Sequence, residues 1–438
     1  MDFDHIPTEI STLGPARIPS PFQGSGKDPS FVSDDDRILI DVNAARMAGR
    51  IERNEAPLSF EEAGPRRDIY FDPSKLKTAI VTCGGLCPGL NGIIRAAVLE
   101  MYFGYGVRNI YGIRFGLQGF IPRYRHDMVE LTPDVVGDII RKGGSFLGSS
   151  RGPQDVDEIV DCLERMNIRV LYMVGGDGTL MAATKIADNI TDRGLKISVV
   201  GIPKTIDNDI YLVSRSFGFD TAVDVATQSI RAAHNEAQGY PNGIGLIKLM
   251  GRYSGFIAAT AALAQQDVNF VLIPEVDFDM EGDNGLLATL ERRLSDRGHA
   301  VIVVAEGAGQ RFFENAETQR DPSGNVKLHD IGVFLRDRIK EYFRERDTEI
   351  SIKYIDPSYN IRSLPANSND HVFCSFLGRN AVHAAMAGKT KLMVGHWNNH
   401  FVHVPMEASA GNRKQINPMG RLWQSVLDST GQGALKNS

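Results

Sequence analysis

Cysteine is scarce in this chain, with four residues among 438. That density is too low for a disulfide framework, so it indicates a reducing compartment, and we expect a cytoplasmic protein. Cys83 and Cys87 have a loose metal-ligand spacing, but no second Cys/His pair lies close to them in the sequence. A zinc site is therefore disfavoured.

Long apolar runs are missing as well. No uninterrupted apolar segment approaches the length that spans a bilayer, and the acidic N-terminus lacks the basic-then-apolar layout of a signal peptide. The net charge of −6 gives no basic footprint for nucleic acid or for an anionic membrane. We therefore expect no nucleic acid and no membrane among the partners.

The rest of the composition is that of an ordinary globular protein, with 42% hydrophobic and 23% charged residues. The length alone suggests two or three domains. From Lys77 onward, short apolar segments alternate with segments of helical spacing, which indicates an α/β fold with parallel sheets. Polar groups recur at the ends of the strands, where such folds keep their sites.

Residues 1–76 depart from this pattern. They are rich in Pro, Gly and Ser, and their periodicity is weak apart from a short apolar piece at residues 38–42. Two interpretations fit this N-terminal extension. It is either an extended arm, packed on the body or on a neighbouring subunit, or a disordered tail.

The sequence contains three glycine-rich loops. Loop 1, residues 83–92, lies between an apolar strand and a helix, a layout that aims backbone N–H groups at a phosphate. Glycine suits such a loop because a Cβ would block close approach of the anion. Taken alone, loop 1 could equally be a tight turn.

Loop 2, residues 142–152, joins small residues to one cation, Arg151, which suits a phosphate but is by default a surface arginine. Loop 3, residues 175–179, reads Gly-Gly-Asp-Gly-Thr between a buried strand and a helix. Asp177 can hold Mg²⁺ while the glycine amides and the helix N-terminus hold phosphate. The alternative is a capped helix start, but the motif at this junction favours nucleotide phosphate binding.

A fourth stretch, residues 202–209, follows another buried strand, which Pro203 ends. Thr205, Asp207 and Asp209 place a hydroxyl and two carboxylates just past the strand end, where ligands of open α/β sheets bind. Further polar groups follow later strands at residues 250–255, 306–309 and 356–362.

The motifs at residues 83–91, 175–179, 203–209 and 250–252 resemble, in this order, those of the 6-phosphofructokinase family. The resemblance covers roughly residues 77–400, and the extension with residues 356–362 resembles the branch found in plants, trypanosomes and some bacteria. It implies two doubly wound α/β domains with parallel-rich sheets and the active site in the cleft between them. It also implies phosphorylation of the C1 hydroxyl of fructose 6-phosphate by Mg-ATP.

The implied domain boundaries place the N-terminal extension at residues 1–76 and the nucleotide-binding domain at 77–218, completed by about 371–425. The fructose 6-phosphate-binding domain takes residues 219–370, and residues 426–438 are expected to form a C-terminal tail.

The resemblance also implies the catalytic residues. Asp207 resembles the general base that takes the proton of the C1 hydroxyl. Thr205 would contact the transferring phosphoryl group, and Arg252 would balance charge in a transition state that needs positioning and electrostatics. Lys204 and Asp209 complete the set of implied catalytic residues. Asp209 would help to orient the catalytic loop.

The residues implied for ATP share a place in the glycine loops: Gly85, Arg151, Gly152, Gly176, Asp177, Gly178 and Thr179. Asp177 would also be the Mg²⁺ ligand. The residues implied for the sugar phosphate follow the later strands: Thr205, Ile206, Asp207, Met250, Gly251, Arg252, Glu306, Tyr359 and Arg362. Glu306 would accept hydrogen bonds from sugar hydroxyls, and Arg362 would pair with the 6-phosphate.

Two positions bear on the phosphoryl donor. The pyrophosphate-using branch of the family has Lys at the position of Lys204 and usually Asp at the position of Gly178. A carboxylate at 178 would crowd and repel the α-phosphate region of a nucleotide, so glycine leaves room for ATP. We expect ATP as donor, and the pyrophosphate-dependent phosphotransferase is the alternative.

Other classes fit less well. NAD kinases and lipid kinases share the Gly-Gly-Asp-Gly loop but lack the stretch at 203–209 together with 250–252. A non-enzymatic sugar-phosphate sensor would be expected to lose Asp207 or Asp177, and both are present.

The family is usually tetrameric and often allosteric, so we expect a homo-oligomer, a tetramer or a dimer. Short bacterial members carry an Arg upstream of Met250 that reaches the neighbouring subunit's sugar site. This chain has Pro-Asn-Gly at 241–243, so Lys248 or another residue would have to replace that contact.

Overall fold

The computed structural model describes residues 6–23, 30–313, 326–409 and 411–437. Residues 1–5 and 24–29 of the predicted extension lie outside the described residues, as does Ser438 of the predicted tail. Contacts divide the chain into two units. Unit 1 comprises Met1–Ile206, Ile210–Gly218 and Ser363–Asn412, and unit 2 comprises Asp207–Asp209, Phe219–Arg362 and Arg413–Ser438.

The strands of the described residues are, in chain order, β1 (Ser11–Thr12), β2 (Ile18–Pro19), β3 (Arg37–Leu39), β4 (Ser59–Glu62), β5 (Asp68–Ile69), β6 (Lys77–Thr82), β7 (Asn109–Ile113), β8 (Met128–Glu130), β9 (Val170–Gly175), β10 (Ser198–Pro203), β11 (Gly243–Leu249), β12 (Phe270–Leu272), β13 (His299–Ala305), β14 (Ser351–Ile355), β15 (Lys389–Thr390), β16 (Leu392–Trp397) and β17 (His400–Pro405).

The α-helices are α1 (Ala44–Glu52), α2 (Leu90–Leu99), α3 (Val156–Arg165), α4 (Asp177–Asp192), α5 (Phe219–Gln238), α6 (Phe256–Gln265), α7 (Leu286–Arg297), α8 (Ile331–Glu345), α9 (Ser358–Ser363), α10 (Ser368–Met386), α11 (Met406–Ser409) and α12 (Arg421–Thr430). Among the helices that the structure describes, none combines the length and apolar character needed to cross a bilayer.

Unit 1 is built on a nine-stranded sheet in the order β3-β4-β17-β16-β10-β9-β6-β7-β8. Its five central strands, from β16 to β7, are parallel, and antiparallel pairs extend it at both ends. Every residue of β9 and β10 is buried, which explains their continuous apolar sequence, because central parallel strands are covered on both faces. Their carboxyl ends carry loop 3 and the stretch from Lys204.

Unit 2 contains a four-stranded parallel sheet in the order β12-β13-β11-β14. Leu246 of β11 and Ile302 of β13 pack with Leu290 of α7 and Ile339 of α8 in a core of their own. The amphipathic spacing of these helices places one apolar face on the sheet. Both units alternate strands with helices, so the predicted α/β class with parallel-rich sheets is confirmed.

The described part of the N-terminal extension is packed on unit 1. Strands β3 and β4 join the large sheet through β17. The carboxylate of Glu61 in β4 is 2.6 Å from Arg66, 2.7 Å from Lys389 and 2.9 Å from His403. Burial opposes ionisation of Glu61, but His403 and Lys389 outweigh it and lower its pKa to about 2. The packed-arm interpretation therefore applies to these residues.

The C-terminal segment differs from the predicted boundaries. Residues 413–425 were expected to complete the nucleotide-binding domain, but contacts assign Arg413–Ser438 to unit 2. Residues 426–437 do not form a separate tail. Trp423 and Val426 of α12 are buried, and Gln432 bonds both backbone groups of Val271 at 2.6 and 3.2 Å. The apolar face of a short amphipathic helix is the reason for this docking.

We predict that Glu61→Gln destabilises unit 1 by about 3–5 kcal/mol, the usual cost of leaving buried charges unpaired. Its low folded pKa means that the stabilisation is present above the ordinary value of 4.5 and is lost as the pH falls towards about 2. Urea unfolding at pH 7 measures the loss. The exposed Glu52→Gln in α1 is the control and should change the free energy of unfolding by less than about 0.5 kcal/mol. Equal stability of the two variants would contradict a structural role for Glu61.

Candidate active site

Loops 1 and 2 are bound to each other in unit 1. The backbone N–H of Gly84 donates to Ser150 O at 3.1 Å, and Ser149 Oγ donates to Gly84 O at 2.6 Å. Thr82 Oγ1, at the end of β6, bonds Gly148 O at 2.7 Å. A Cβ built on Gly85 would lie 3.7 Å from the guanidinium of Arg151, so this cation stands beside loop 1.

Loop 1 requires glycine where it turns into α2. Gly89 has φ +103°, and a Cβ there would lie 2.6 Å from Cys374 Sγ. Gly84 is also left-handed, with φ +83°. A positive φ therefore favours glycine at both positions, and packing against Cys374 adds a steric requirement at Gly89.

Loop 3 joins β9 to the N-terminus of α4. Asp177 is half-buried in the first turn of α4, and Thr179 is buried. A Cβ on Gly175 would lie 2.2 Å from Thr179 Oγ1, so this glycine is required by packing. Gly178 is different: it is exposed, it has no left-handed φ, and within the described ranges no heavy atom lies within 4 Å of an added Cβ.

Lys204 connects the glycine loops. Its backbone N–H donates to Gly175 O at 2.9 Å, and its Nζ donates to Gly85 O at 2.7 Å. The residue is only 7% exposed. Thr205 follows, and its carbonyl accepts a hydrogen bond from Ser216 Oγ at 2.7 Å. Unit 1 thus holds the three loops, Lys204 and Thr205 in one hydrogen-bonded group.

The donor set of this group suits Mg²⁺ bound together with a nucleotide. Among the described residues no group of three or more His, Cys, Asp or Glu could hold a metal on its own. Mg²⁺ at nucleotide sites is typically held by one or two carboxylates, with substrate phosphates and water as the other ligands. Asp177 supplies a half-buried carboxylate at a helix N-terminus that also favours phosphate.

The two carboxylates of the fourth stretch, Asp207 and Asp209, belong to unit 2. Asp207 Oδ2 accepts from the backbone N–H of Arg252 at 3.4 Å, and its carbonyl accepts from Ser254 Oγ at 3.2 Å. Asn208 is left-handed, with φ +56°. Burial raises the pKa of Asp207 well above its usual range, and the negative charges of Asp209 and Glu306 raise it further.

The turn after β11 is locked to the end of β13. Glu306 N donates to Leu249 O at 2.9 Å, and Gly307 N donates to Gly251 O at 3.0 Å. A Cβ on Gly307 would lie 2.0 Å from Arg252 O, and Gly251 has φ +133°. The backbone that carries Met250, Gly251 and Arg252 is therefore tightly fixed.

Glu306 and Arg252, which follow β13 and β11, carry opposite charges that interact. Burial raises the pKa of Glu306, while Arg252, Lys248 and Arg362 oppose that rise. The Nε and Nη2 atoms of Arg252 are buried and have no hydrogen-bond partner among the described residues. Unsatisfied buried N–H groups on a cation are suited to an anionic ligand.

The remaining sugar-phosphate candidates lie on α9. The Arg362 guanidinium stands 4.5 Å from the centroid of the Tyr359 ring, and Tyr359 is 75% exposed. Lys248 holds the start of this segment, because its Nζ lies 2.9 Å from Asp356 Oδ2 and 2.8 Å from Asp330 Oδ2. Lys248 is therefore engaged within its own unit. The turn at 241–243 offers no cation.

Two cations that the sequence pattern does not predict lie beside Asp209. Arg413 Nη1 lies 3.4 Å from Asp209 Oδ2, and Lys414 N donates to Asp209 O at 2.8 Å. Burial lowers the pKa of Lys414 to about 7. The only sequence signal was the Arg-Lys pair itself, which lies about two hundred residues from Asp209 and resembles a solvated linker.

Comparisons with known proteins identify the family to which this chain belongs. A family model described as Phosphofructokinase matches residues 77–385. The chain is 50% identical to the ATP-dependent 6-phosphofructokinase of Borreliella burgdorferi over 438 residues, covering 98% of this chain and 97% of that protein. Its identity to the Trypanosoma cruzi enzyme of the same name is 45% over 378 residues, covering 86% and 77%.

Solved structures support the fold alone. The pyrophosphate-dependent phosphofructokinase from Marinobacter aquaeolei matches with a TM-score of 0.67 and 19% identity, covering 82% of this chain and 92% of that one. The Pichia pastoris phosphofructokinase matches with a TM-score of 0.62 and 18% identity, covering 83% of this chain and 38% of that one. The family match and the sequence identities together place this chain in the phosphofructokinase family.

Proposed function

We propose that this chain transfers the γ-phosphoryl group of Mg-ATP to the C1 hydroxyl of D-fructose 6-phosphate. The products are fructose 1,6-bisphosphate and ADP, and the reaction commits sugar to glycolysis. The main observation behind this proposal is the cluster of Asp207, Arg252 and Glu306 in unit 2. The curated relatives named ATP-dependent 6-phosphofructokinase, which align over most of the chain, support the same reaction.

Asp207 is the general base of the proposed reaction. Its raised pKa makes it a better proton acceptor than an ordinary aspartate. The C1 hydroxyl gives its proton to Asp207 while its oxygen forms a bond to the γ-phosphorus. The bond between that phosphorus and the bridging oxygen breaks, and ADP leaves with the electron pair.

The loops of unit 1 hold the nucleotide phosphates in this proposal. Backbone amides of the three loops and the N-terminus of α4 bind phosphate oxygens, and Arg151 adds one fixed cation. The assigned residues are Gly85, Arg151, Gly152, Gly176, Gly178 and Thr179. Lys204 supplies a second positive charge among the loops, and Thr205 contacts the transferring group.

Asp177 is the proposed ligand of Mg²⁺, which would neutralise charge on the phosphates when bound. On the sugar side, Arg252 and Arg362 bind anionic oxygens, and Glu306 accepts hydrogen bonds from hydroxyls. The other residues assigned to binding of the sugar phosphate are Ile206, Met250, Gly251 and Tyr359. Asp209 orients the stretch that carries Asp207.

ATP is the proposed donor, and pyrophosphate is the alternative. The open space around Gly178 supports this choice, because a nucleotide can approach α4 there without meeting a side chain. The fold does not separate the two donors, since a pyrophosphate-dependent enzyme shares it.

Family membership supports further properties that we propose together: a homo-oligomer, either tetramer or dimer, a cytoplasmic location and allosteric regulation. The substrates are ATP and fructose 6-phosphate, with Mg²⁺ as the cofactor.

We predict that Asp207→Asn lowers kcat by about 10² to 10⁴, the usual worth of a positioned base. The KM for fructose 6-phosphate should change little, because the base acts in the transition state. In the wild type, the raised pKa of Asp207 should move the acid limb of the pH profile of kcat to a higher pH than an ordinary aspartate would give. Asp296→Asn on the exposed surface of α7 is the control. Near-normal kcat in Asp207→Asn would remove this residue from the mechanism.

Arg362→Ala should raise the KM for fructose 6-phosphate by about 10- to 100-fold, since a charge-assisted hydrogen bond contributes about 1.5–3 kcal/mol. The KM for ATP should stay within about threefold of the wild type. Arg346→Ala is a matched control, because Arg346 also stands over a tyrosine, 3.5 Å from the centroid of Tyr342. A rise in the ATP KM instead would show that the segment at 356–362 serves the nucleotide.

The donor is tested with purified protein, fructose 6-phosphate and Mg²⁺, with either ATP or pyrophosphate. We expect turnover with ATP and negligible turnover with pyrophosphate. Gly178→Asp should damage ATP use by steric overlap and charge repulsion, and uncover weak pyrophosphate use because Lys204 is already in place. A Cβ added at residue 178 has no heavy atom within 4 Å among the described residues, and an acidic residue suits a helix N-terminus, so this variant should fold.

Gly433→Asp is the control for Gly178→Asp. Gly433 is also exposed, with no described heavy atom within 4 Å of an added Cβ and no left-handed φ. Its activity with ATP should equal that of the wild type. Faster turnover of pyrophosphate than of ATP by the wild-type protein would overturn the donor assignment.

A further inference from the structure

The segment at residues 413–416 makes a series of contacts with the loops of unit 2 that carry the catalytic candidates. Lys414 N donates to Asp209 O at 2.8 Å, as noted above. Gln415 Nε2 donates to Tyr253 O at 3.0 Å, in the turn that follows Arg252. One short segment therefore bonds both the Asp207–Asp209 stretch and the turn after β11.

Glu275 ties the same segment to α6. Its Oε1 accepts from Ile416 N at 2.9 Å, and both carboxylate oxygens lie 3.0 Å from Gly255 N. Burial raises the pKa of Glu275, although these backbone N–H groups oppose the rise. Gly255 directly precedes α6, so the turn that carries Arg252 is held at its far end as well.

Arg413 is the side chain that touches both loops. Its Nη1 lies 3.4 Å from Asp209 Oδ2, and its guanidinium stands 3.9 Å from the centroid of the Tyr253 ring. Asp209 is only 6% exposed, so this ion pair is partly shielded from solvent. A planar guanidinium can stack on a ring and donate to a carboxylate at the same time, which an ammonium cannot.

The Asp207–Asp209 stretch needs support of this kind. It lies in no helix or strand, and it places two carboxylates two residues apart with a left-handed Asn208 between them. Like charges so close repel each other. The positive charge of Arg413 opposes the rise in the pKa of Asp207, so it acts on this carboxylate as well as on Asp209.

We propose that Arg413 is a positioning residue: it fixes Asp209 against the turn at Tyr253, and thereby sets Asp207 relative to Arg252. The inference rests on the proposed function, because it gives Asp207 the role of base. Arg413 acts through Asp209 and Tyr253, and it is assigned no contact with substrate. A displacement of a catalytic group by about 1 Å can cost on the order of 10² in rate.

The test compares Arg413→Gln and Arg413→Lys with the wild type in steady-state kinetics. Arg413→Gln should lower kcat by about 10- to 100-fold and change both KM values by less than about threefold. Arg413→Lys keeps the charge and should recover part of kcat. Arg338→Gln is the matched control, because Arg338 is a paired arginine of unit 2 with similar side-chain exposure, 39% against 35%. It should keep the wild-type kcat.

A double-variant cycle with Asp209→Asn identifies the route of the effect. If Arg413 acts through Asp209, Arg413→Gln in the Asp209→Asn background should cost less than about threefold further in kcat. If the two losses in kcat multiply in the double variant, the inference is overturned. It is also overturned if Arg413→Gln keeps the wild-type kcat, or if its melting temperature falls while its kcat does not. If Arg413→Gln does not fold, the cycle is run with Arg413→Lys and read in the same way. A wild-type protein that fails to phosphorylate fructose 6-phosphate refutes the proposed function instead.

Discussion

The buried ammonium of Lys204 is the contact on which the arrangement of the glycine loops of unit 1 depends. A charge removed from water needs acceptors, and Lys204 finds one in the carbonyl of Gly85 at 2.7 Å. Its own N–H donates to Gly175 at 2.9 Å, so one residue fixes loop 1 against loop 3. Loop 2 is then held by its bonds to Gly84. If these loops bind a polyphosphate as proposed, their mutual hydrogen bonds would lower the entropic cost of ordering them around the ligand.

Charge balance is the corresponding constraint in unit 2. Burial raises the pKa of Asp207, and the negative charges of Asp209 and Glu306 raise it further. Arg252, Arg362 and Arg413 offset that charge from three different parts of the chain. The balance is incomplete, since the pKa of Asp207 remains raised. A carboxylate that holds a proton readily is the chemical requirement for a base acting on an alcohol.

Much of the fold could be predicted from sequence because it is encoded locally. Apolar runs such as β9 and β10 and the glycine loops that follow them are short-range signals, and the α/β class and the family were predicted correctly. Contacts between distant segments were not accessible in this way. The Arg413–Asp209 pair and the Glu61 network join residues some two to three hundred positions apart, and nothing in their own neighbourhoods marks them. The docking of α12 was missed because the burial of Trp423 and Val426 depends on packing against α6 and β12, which are distant in sequence.

The glycines of the candidate site are of two kinds: some are required by the fold, and Gly178 is not. At Gly175, Gly251 and Gly307 a Cβ would lie within 2.5 Å of protein atoms, so the packing of the protein itself requires glycine there. At Gly178 the described protein leaves open space and an ordinary backbone conformation, so folding imposes no such requirement. The identity of residue 178 can therefore be set by the ligand rather than by the fold. The proposed role of Gly178 in donor choice rests on this difference, because an exposed position on α4 that folding leaves unconstrained is one where a ligand can select the residue.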